Sequence, residues 1–70
     1  MDEEQKREEL KRMAAAFPHN AIREISETTG IDRNAVWKIA NGLLLKWTPR
    51  HDAVHAAAKK WFEDNGIKLV

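Results

Sequence analysis

The sequence predicts an all-α protein, a compact domain of four to five helices, and three observations carry that reading. Apolar residues recur at three- and four-residue intervals in four stretches, as they do on the buried stripe of a helix. The three glycines and two prolines fall between those stretches, where they stop helices rather than interrupt them. The 70 residues are 43% hydrophobic and 33% charged, enough apolar matter for a core and too much for a typical disordered chain.

The first helix is expected from Asp2, an N-cap with Gln5 as its capping-box partner, to a stop at Pro18. Its acidic leader, residues 1–9, sets Glu3 before Arg7 and Glu8 before Arg12 on a solvated face. Burial is confined to the second half, where Leu10, Met13, Ala14 and Phe17 share a stripe. Asn20 is placed to cap a second helix from Ala21 to about Thr28, with Ile22 and Ile25 inward and Gly30 beyond its end. Asp32 caps a third helix through Asn41; Val36, Ile39 and Ala40 repeat the spacing, and Gly42 supplies the left-handed stop. Thr48-Pro49 opens a final helix, because proline at the first helical position loses no N–H bond. Val54, Ala57, Ala58, Trp61 and Phe62 form its stripe, over residues 49–65, and Asn65-Gly66 ends it. Ile67–Val70 suits a short C-terminal β-strand, if a partner edge is at hand.

Seventy residues make one domain and exclude a multi-step enzyme architecture. The opening Met1-Asp2-Glu3-Glu4 lacks the basic end and apolar stretch of a signal peptide, and no apolar run approaches the ~18 residues of a membrane span. With no cysteine for disulfides or thiolate zinc, a cytoplasmic location is expected, with no membrane and no small-molecule substrate. At this size one core supplies only about 3–5 kcal/mol, so a second subunit is the expected supplement.

The most informative stretch is 22–42, IREISETTGIDRNAVWKIANG. Two short helices crossing over a three- to four-residue turn need a small residue where the axes approach, a glycine to turn the chain, and apolar facing stripes. Ser26, Gly30 and the set Ile25, Ile31, Val36 and Ile39 meet those needs, which points to a helix-turn-helix over 21–42. At these residues the chain resembles the lambda-repressor and Cro type of DNA-binding domain, also called XRE-like, including the Ala40-Asn41-Gly42 ending of the third helix. Residues 10–66 follow that family's helical layout, and Ala57–Ile67 looks like its closing helix. The resemblance implies that the third helix enters the major groove of double-stranded DNA and presents Arg33, Asn34, Trp37 and Lys38 to base edges. The residue types suit that role, since arginine pairs bidentately with guanine and asparagine with adenine, each for ~1–3 kcal/mol of discrimination. Trp37 lies on the outward side of the helical wheel, either meeting a thymine methyl or a partner, or folding back over the connector. The family commonly has a glutamine at the start of helix two, and this chain has Ile22 in its place. Asn20, Arg23 and the helix N-terminus are the substitutes for holding phosphate, joined by Asn41, Lys46 and Arg50.

The net charge of +1 is uninformative until it is divided along the chain. Residues 1–9 hold five acids and two bases, whereas 33–50 hold Arg33, Lys38, Lys46 and Arg50 and no acid. Leu43, Leu44, Leu45 and Trp47 form an unusually apolar connector, whose two readings are a dimer face and intramolecular core. In the first, Leu44, Leu45 and Trp47, with Ile67 and Leu69 from a paired terminal strand, hold a homodimer that sets its recognition helices about one DNA turn apart.

His51-Asp52-Ala53-Val54-His55 places two histidines four apart on a helix, the spacing of an HExxH zinc site, but Asp stands where glutamate is needed and a third ligand is lacking. The expectation is no catalytic residue, no metal and no cofactor, with both histidines solvated near the helix start, near DNA phosphate or a second subunit. Ser26 and Thr29 are packing and turn residues rather than nucleophiles. The whole reads as a transcriptional regulator, a phage or mobile-element repressor of the Cro type, bound at the bacterial nucleoid. The alternatives are a DNA-binding recruiter for packaging, recombination or partition, and a helical protein-interaction module that binds no DNA.

Overall fold

The computed structural model describes residues 3–18, 20–44 and 46–66. Its elements are α1 (Glu3–Ala15), α2 (Ala21–Thr29), α3 (Arg33–Ala40) and α4 (Pro49–Asp64), with no strand among the described residues. The expected Asp2 cap and the strand at 67–70 lie outside those residues, as do Leu45, Ile67 and Leu69. No helix among the described residues is long and apolar enough to cross a membrane.

The helices stop where the sequence says they must. Gly30 and Gly42 adopt φ values of +73° and +72°, a left-handed conformation that a Cβ disfavours. The Gly30 N–H donates to the Ser26 carbonyl at 2.8 Å and closes α2. Three side chains then lock the turn into α3. Ser26 Oγ donates to the Ile31 carbonyl at 2.5 Å, Thr29 Oγ1 donates to the Ile25 carbonyl at 2.8 Å and accepts from the Ile31 N–H, and the Asp32 carboxylate accepts from the Asn34 N–H at 3.0 Å. Small polar residues favour this work because their hydroxyl and carboxyl groups satisfy backbone atoms that helix ends leave unpaired.

All four helices feed one core. Leu10 and Met13 come from α1, Ala21 and Ile25 from α2, Val36, Ile39 and Ala40 from α3, and Val54, Ala58 and Phe62 from α4. Helix α4 packs against each of the other three, and Phe17 stacks on Phe62 with ring centroids 5.6 Å apart. Burying each of the larger side chains stabilises the fold by about 1.5–3 kcal/mol before the entropy of ordering the chain is subtracted.

Several expectations need correction. Asn20 does not cap α2 with its side chain: its backbone is already helical, and its amide donates to Glu24 Oε2 at 2.7 Å. Helix α2 runs one residue further, to Thr29, and α3 stops at Ala40 with Asn41 as its C-cap. Ala57 and Trp61 are only half-buried, and His51 takes a place on the inner stripe of α4 with Val54, Ala58 and Phe62.

His51 is therefore not a solvated residue. It is 1% exposed, because it sits third in α4 and completes a capping box: the Thr48 N–H donates to its Nδ1 at 3.1 Å, with Thr48 Oγ1 2.8 Å away. His55 is also drawn inward, its Nε2 2.7 Å from Glu9 Oε1, with Lys59 Nζ 3.5 Å from the same oxygen.

The acidic leader is more than a solvated face, because its charged side chains fasten α1 to distant parts of the chain. Lys6 Nζ meets Asp52 Oδ1 at 3.3 Å, and Arg7 Nη1 donates to the Leu44 carbonyl at 3.0 Å. The Arg7 guanidinium also lies 5.7 Å over the Trp47 ring. Exposed ion pairs of this kind stabilise by about 0–1 kcal/mol each, so their effect is chiefly to set where α1 lies.

Candidate nucleic-acid interface

Helix α3 divides cleanly into two faces. Val36, Ile39 and Ala40 are buried, which turns Arg33, Asn34, Trp37 and Lys38 outward; 33 with 37, and 34 with 38, are successive turns of one face. Trp37 is 51% exposed, so it does not fold back over the connector. No hydrogen bond or ion pair among the described residues engages the side chains of Arg33, Asn34, Trp37 or Lys38. Their donors and Asn34's acceptor point to solvent from a helix whose position is fixed by the locked turn before it and the buried stripe behind it.

Three other basic residues expected at phosphate also lie at the surface. Arg23, Lys46 and Arg50 are exposed and have no ionic partner among the described residues. Lys11 of α1 also reaches the end of α3, which its position in the sequence gave no sign of. Its aliphatic stem crosses the end of α3, so close to Gly42 that a Cβ there would stand 2.7 Å from Lys11 Cε. The bare glycine at 42 is the single sequence signal of a close approach, and it does not say by what.

Other expected contacts are already committed elsewhere. The Asn20 amide is held by Glu24, whose Oε2 also accepts from Trp61 Nε1 at 3.1 Å. The Asn41 Nδ2 donates to the Trp37 carbonyl at 2.8 Å, satisfying the end of α3 and leaving Oδ1 as its outward atom. A carboxylate in the first turn of α2 does not favour a phosphate there, so Arg23 is the better placed of that group.

The connector resolves into unlike halves. Leu43 and Leu44 are 55% and 41% exposed, so intramolecular core does not account for them. Trp47 is half-buried within its own chain, against His51 at 5.0 Å and His55 at 6.4 Å, with its Nε1 donating to Asp52 Oδ1 at 2.7 Å. These contacts hold the connector on α4.

Two groups near this junction titrate away from their ordinary values. Burial, then the Arg7 guanidinium, pushes the His51 pKa below 6.5 against the opposing pull of Asp52 and Glu3. Hydrogen bonds from Trp47 and then Lys6 hold Asp52 below 3.8.

A small cleft lined by Ile25, Thr28, Ala57, Lys60, Trp61 and Asp64 encloses about 130 Å³, well short of the ~300–1,000 Å³ that small-molecule sites occupy. No group of three or more His, Asp or Glu among the described residues is set to hold a metal ion. Compared with family models, curated proteins and solved structures, the chain finds no significant match in any of the three.

Proposed function

We propose that the chain is a sequence-specific double-stranded DNA-binding protein that lays α3 in the major groove, and that it serves as a cytoplasmic, Cro-type transcriptional regulator. The observation that carries this reading is the unpaired quartet Arg33, Asn34, Trp37 and Lys38 on one outward face of a short, rigidly seated helix. Arg33 and Asn34 in its first turn read bases, Trp37 offers an apolar surface to a thymine methyl, and Lys38 meets a base or a phosphate. Arg23, Lys46 and Arg50 neutralise phosphates on either side. A two-fold copy doubles the site, with Leu43 and Leu44 supplying the exposed apolar surface for the contact. Bound protein then acts by occupancy, covering the operator.

Selection of binding fragments from genomic DNA, followed by footprinting, tests the reading. The expected footprint is short and two-fold symmetric, and Arg33→Ala and Lys38→Ala abolish it. Unchanged affinity of both variants for every selected duplex sinks the proposal. The exposed Leu43 and Leu44 also favour a recruiter that docks a partner protein while on DNA. Footprints that avoid promoters would select that second reading.

A further inference from the structure

We infer that His51 is a pH-sensitive latch: when its imidazole takes up a proton, Trp47 and Thr48 come away from the start of α4 and DNA binding weakens. The part concerning DNA rests on the function proposed above; the latch itself does not.

The geometry favours the neutral ring. Nδ1 accepts from the Thr48 N–H, so the ring's single proton is on Nε2, which is buried with no hydrogen-bond partner among the described residues. A second proton on Nδ1 would point at the Thr48 N–H, donor against donor. The Thr48 hydroxyl, 2.8 Å away, can accept it only if the backbone N–H gives up its bond. The charged ring would also lie in the first turn of α4, where the aligned peptide dipoles repel a cation.

The surrounding charges do not remove this conflict. From α1, Arg7 opposes the proton and Glu3 favours it, while Lys6 is spent on Asp52. On α4, Asp52 favours it, but its Oδ1 is occupied by Trp47 Nε1 as well as Lys6, and His55 is turned to Glu9 beside Lys59. The connector adds the Trp47 ring, stacked obliquely on the imidazole at 5.0 Å. Unfastening the pair moves the backbone on which Lys46 and Arg50 sit, two of the phosphate contacts of the proposed site.

The sign follows from the lowered pKa. Between 6.5 and the lower folded value the unfolded chain holds the extra proton. Stability is complete above 6.5 and is lost as pH falls through the folded value, by up to about tenfold in the folding constant per pH unit within that window.

The test uses the full chain and His51→Gln, which keeps a capping-box acceptor and does not titrate. Imidazole resonances are followed from pH 8 to 4.5 together with the Trp47 indole, and urea midpoints and affinity for a footprinted duplex are measured at pH 7.5 and 5. The expected result is a His51 titration below 6.5 that Trp47 tracks, with midpoint and affinity falling in the native protein and holding in His51→Gln. A His51 titration at or above 6.5, or an indole that does not track it, overturns the latch, and this reading needs only the native protein should the variant fail to fold. Titration as expected with equal affinities for both proteins at both pH values refutes the DNA part alone. Binding of no duplex at pH 7.5 refutes the proposed function and leaves the latch to be decided by resonances and midpoints.

Discussion

Alanine placed at Gly30 and at Gly42 separates two costs that glycine usually hides together. The two residues have nearly the same backbone, φ +73° and +72°, so both substitutions carry the same left-handed penalty of about 1–2 kcal/mol and the same change in unfolded-chain freedom. They differ in what the new methyl meets. At 30 nothing lies within 4 Å, whereas at 42 it lands 2.7 Å from Lys11 Cε. Lys11 is a flexible, exposed side chain, so it relieves the clash by leaving its rotamer, at roughly 0.5–1.5 kcal/mol. Gly42→Ala is therefore expected to destabilise by up to about 0.5–1.5 kcal/mol more than Gly30→Ala. Urea unfolding followed by tryptophan fluorescence reads this difference, provided the slopes agree. Repeating both substitutions in a Lys11→Ala background closes a double-mutant cycle in which the excess disappears. If Gly42→Ala costs no more than Gly30→Ala, or if the excess survives without Lys11, then Lys11 does not cross the end of α3.

Four further outcomes follow from the same structure. On a footprinted duplex, Lys38, Arg23, Lys46 and Arg50 as four phosphate contacts per protomer give a log K against log salt slope of about −3.6, and Lys46→Ala flattens it by about 0.9 for each protomer bound; an unchanged slope removes Lys46 from the interface. Leu44→Glu is expected to leave a folded monomer in sedimentation runs under conditions where the parent chain dimerises, and a parent that stays monomeric with and without DNA discards the dimer. Leu10→Ala, at about 2–5 kcal/mol, removes most of the roughly 3–5 kcal/mol that a core of this size supplies, so circular dichroism should show a substantially unfolded chain at 25 °C. Asp52 is held below 3.8, so its stabilising contribution is present above that pH and fades as pH falls through the folded value. Asp52→Asn should accordingly flatten the acid limb of stability below pH 4, and an identical limb would show that Trp47 and Lys6 do not hold the carboxylate.

The helices were legible because their boundaries are local chemistry. Gly30, Gly42, Asp32 and Thr48-Pro49 each act within a few residues of their own position, and the stripes of α3 and α4 follow from periodicity alone. The outward face of α3 was legible for the same reason, since burying Val36, Ile39 and Ala40 leaves one place for Arg33, Asn34, Trp37 and Lys38. His51 was missed because a capping box is recognised by glutamate or glutamine at its third helical position, and a histidine there reads as solvated. Asn20 misled in the opposite way: its residue type suits a cap, but Glu24 four residues on offers its amide a charged acceptor. The clasp made by Lys6, Arg7 and Glu9 has no periodic signature, because charged residues pair by final proximity and not by spacing. Whether Leu43 and Leu44 join the core was open in the sequence, and only the filled core could show that they do not.

That clasp has a kinetic consequence. Its bonds join residues 37 to 46 positions apart, whereas those of the turn before α3 join residues two to five apart. Closing long spans costs more chain entropy than closing short ones, and surface polar contacts give little back. Helix α1 is thus expected to be the first unit to undock and the last to be captured, exposing Leu10 and Met13 in openings that fall short of global unfolding. Native-state hydrogen exchange should find the amides of residues 7–13 less protected than those of 36–40, and equal protection would mean the domain opens only as a whole. A protein built this way is released to proteolysis through its first helix while α3 is still formed.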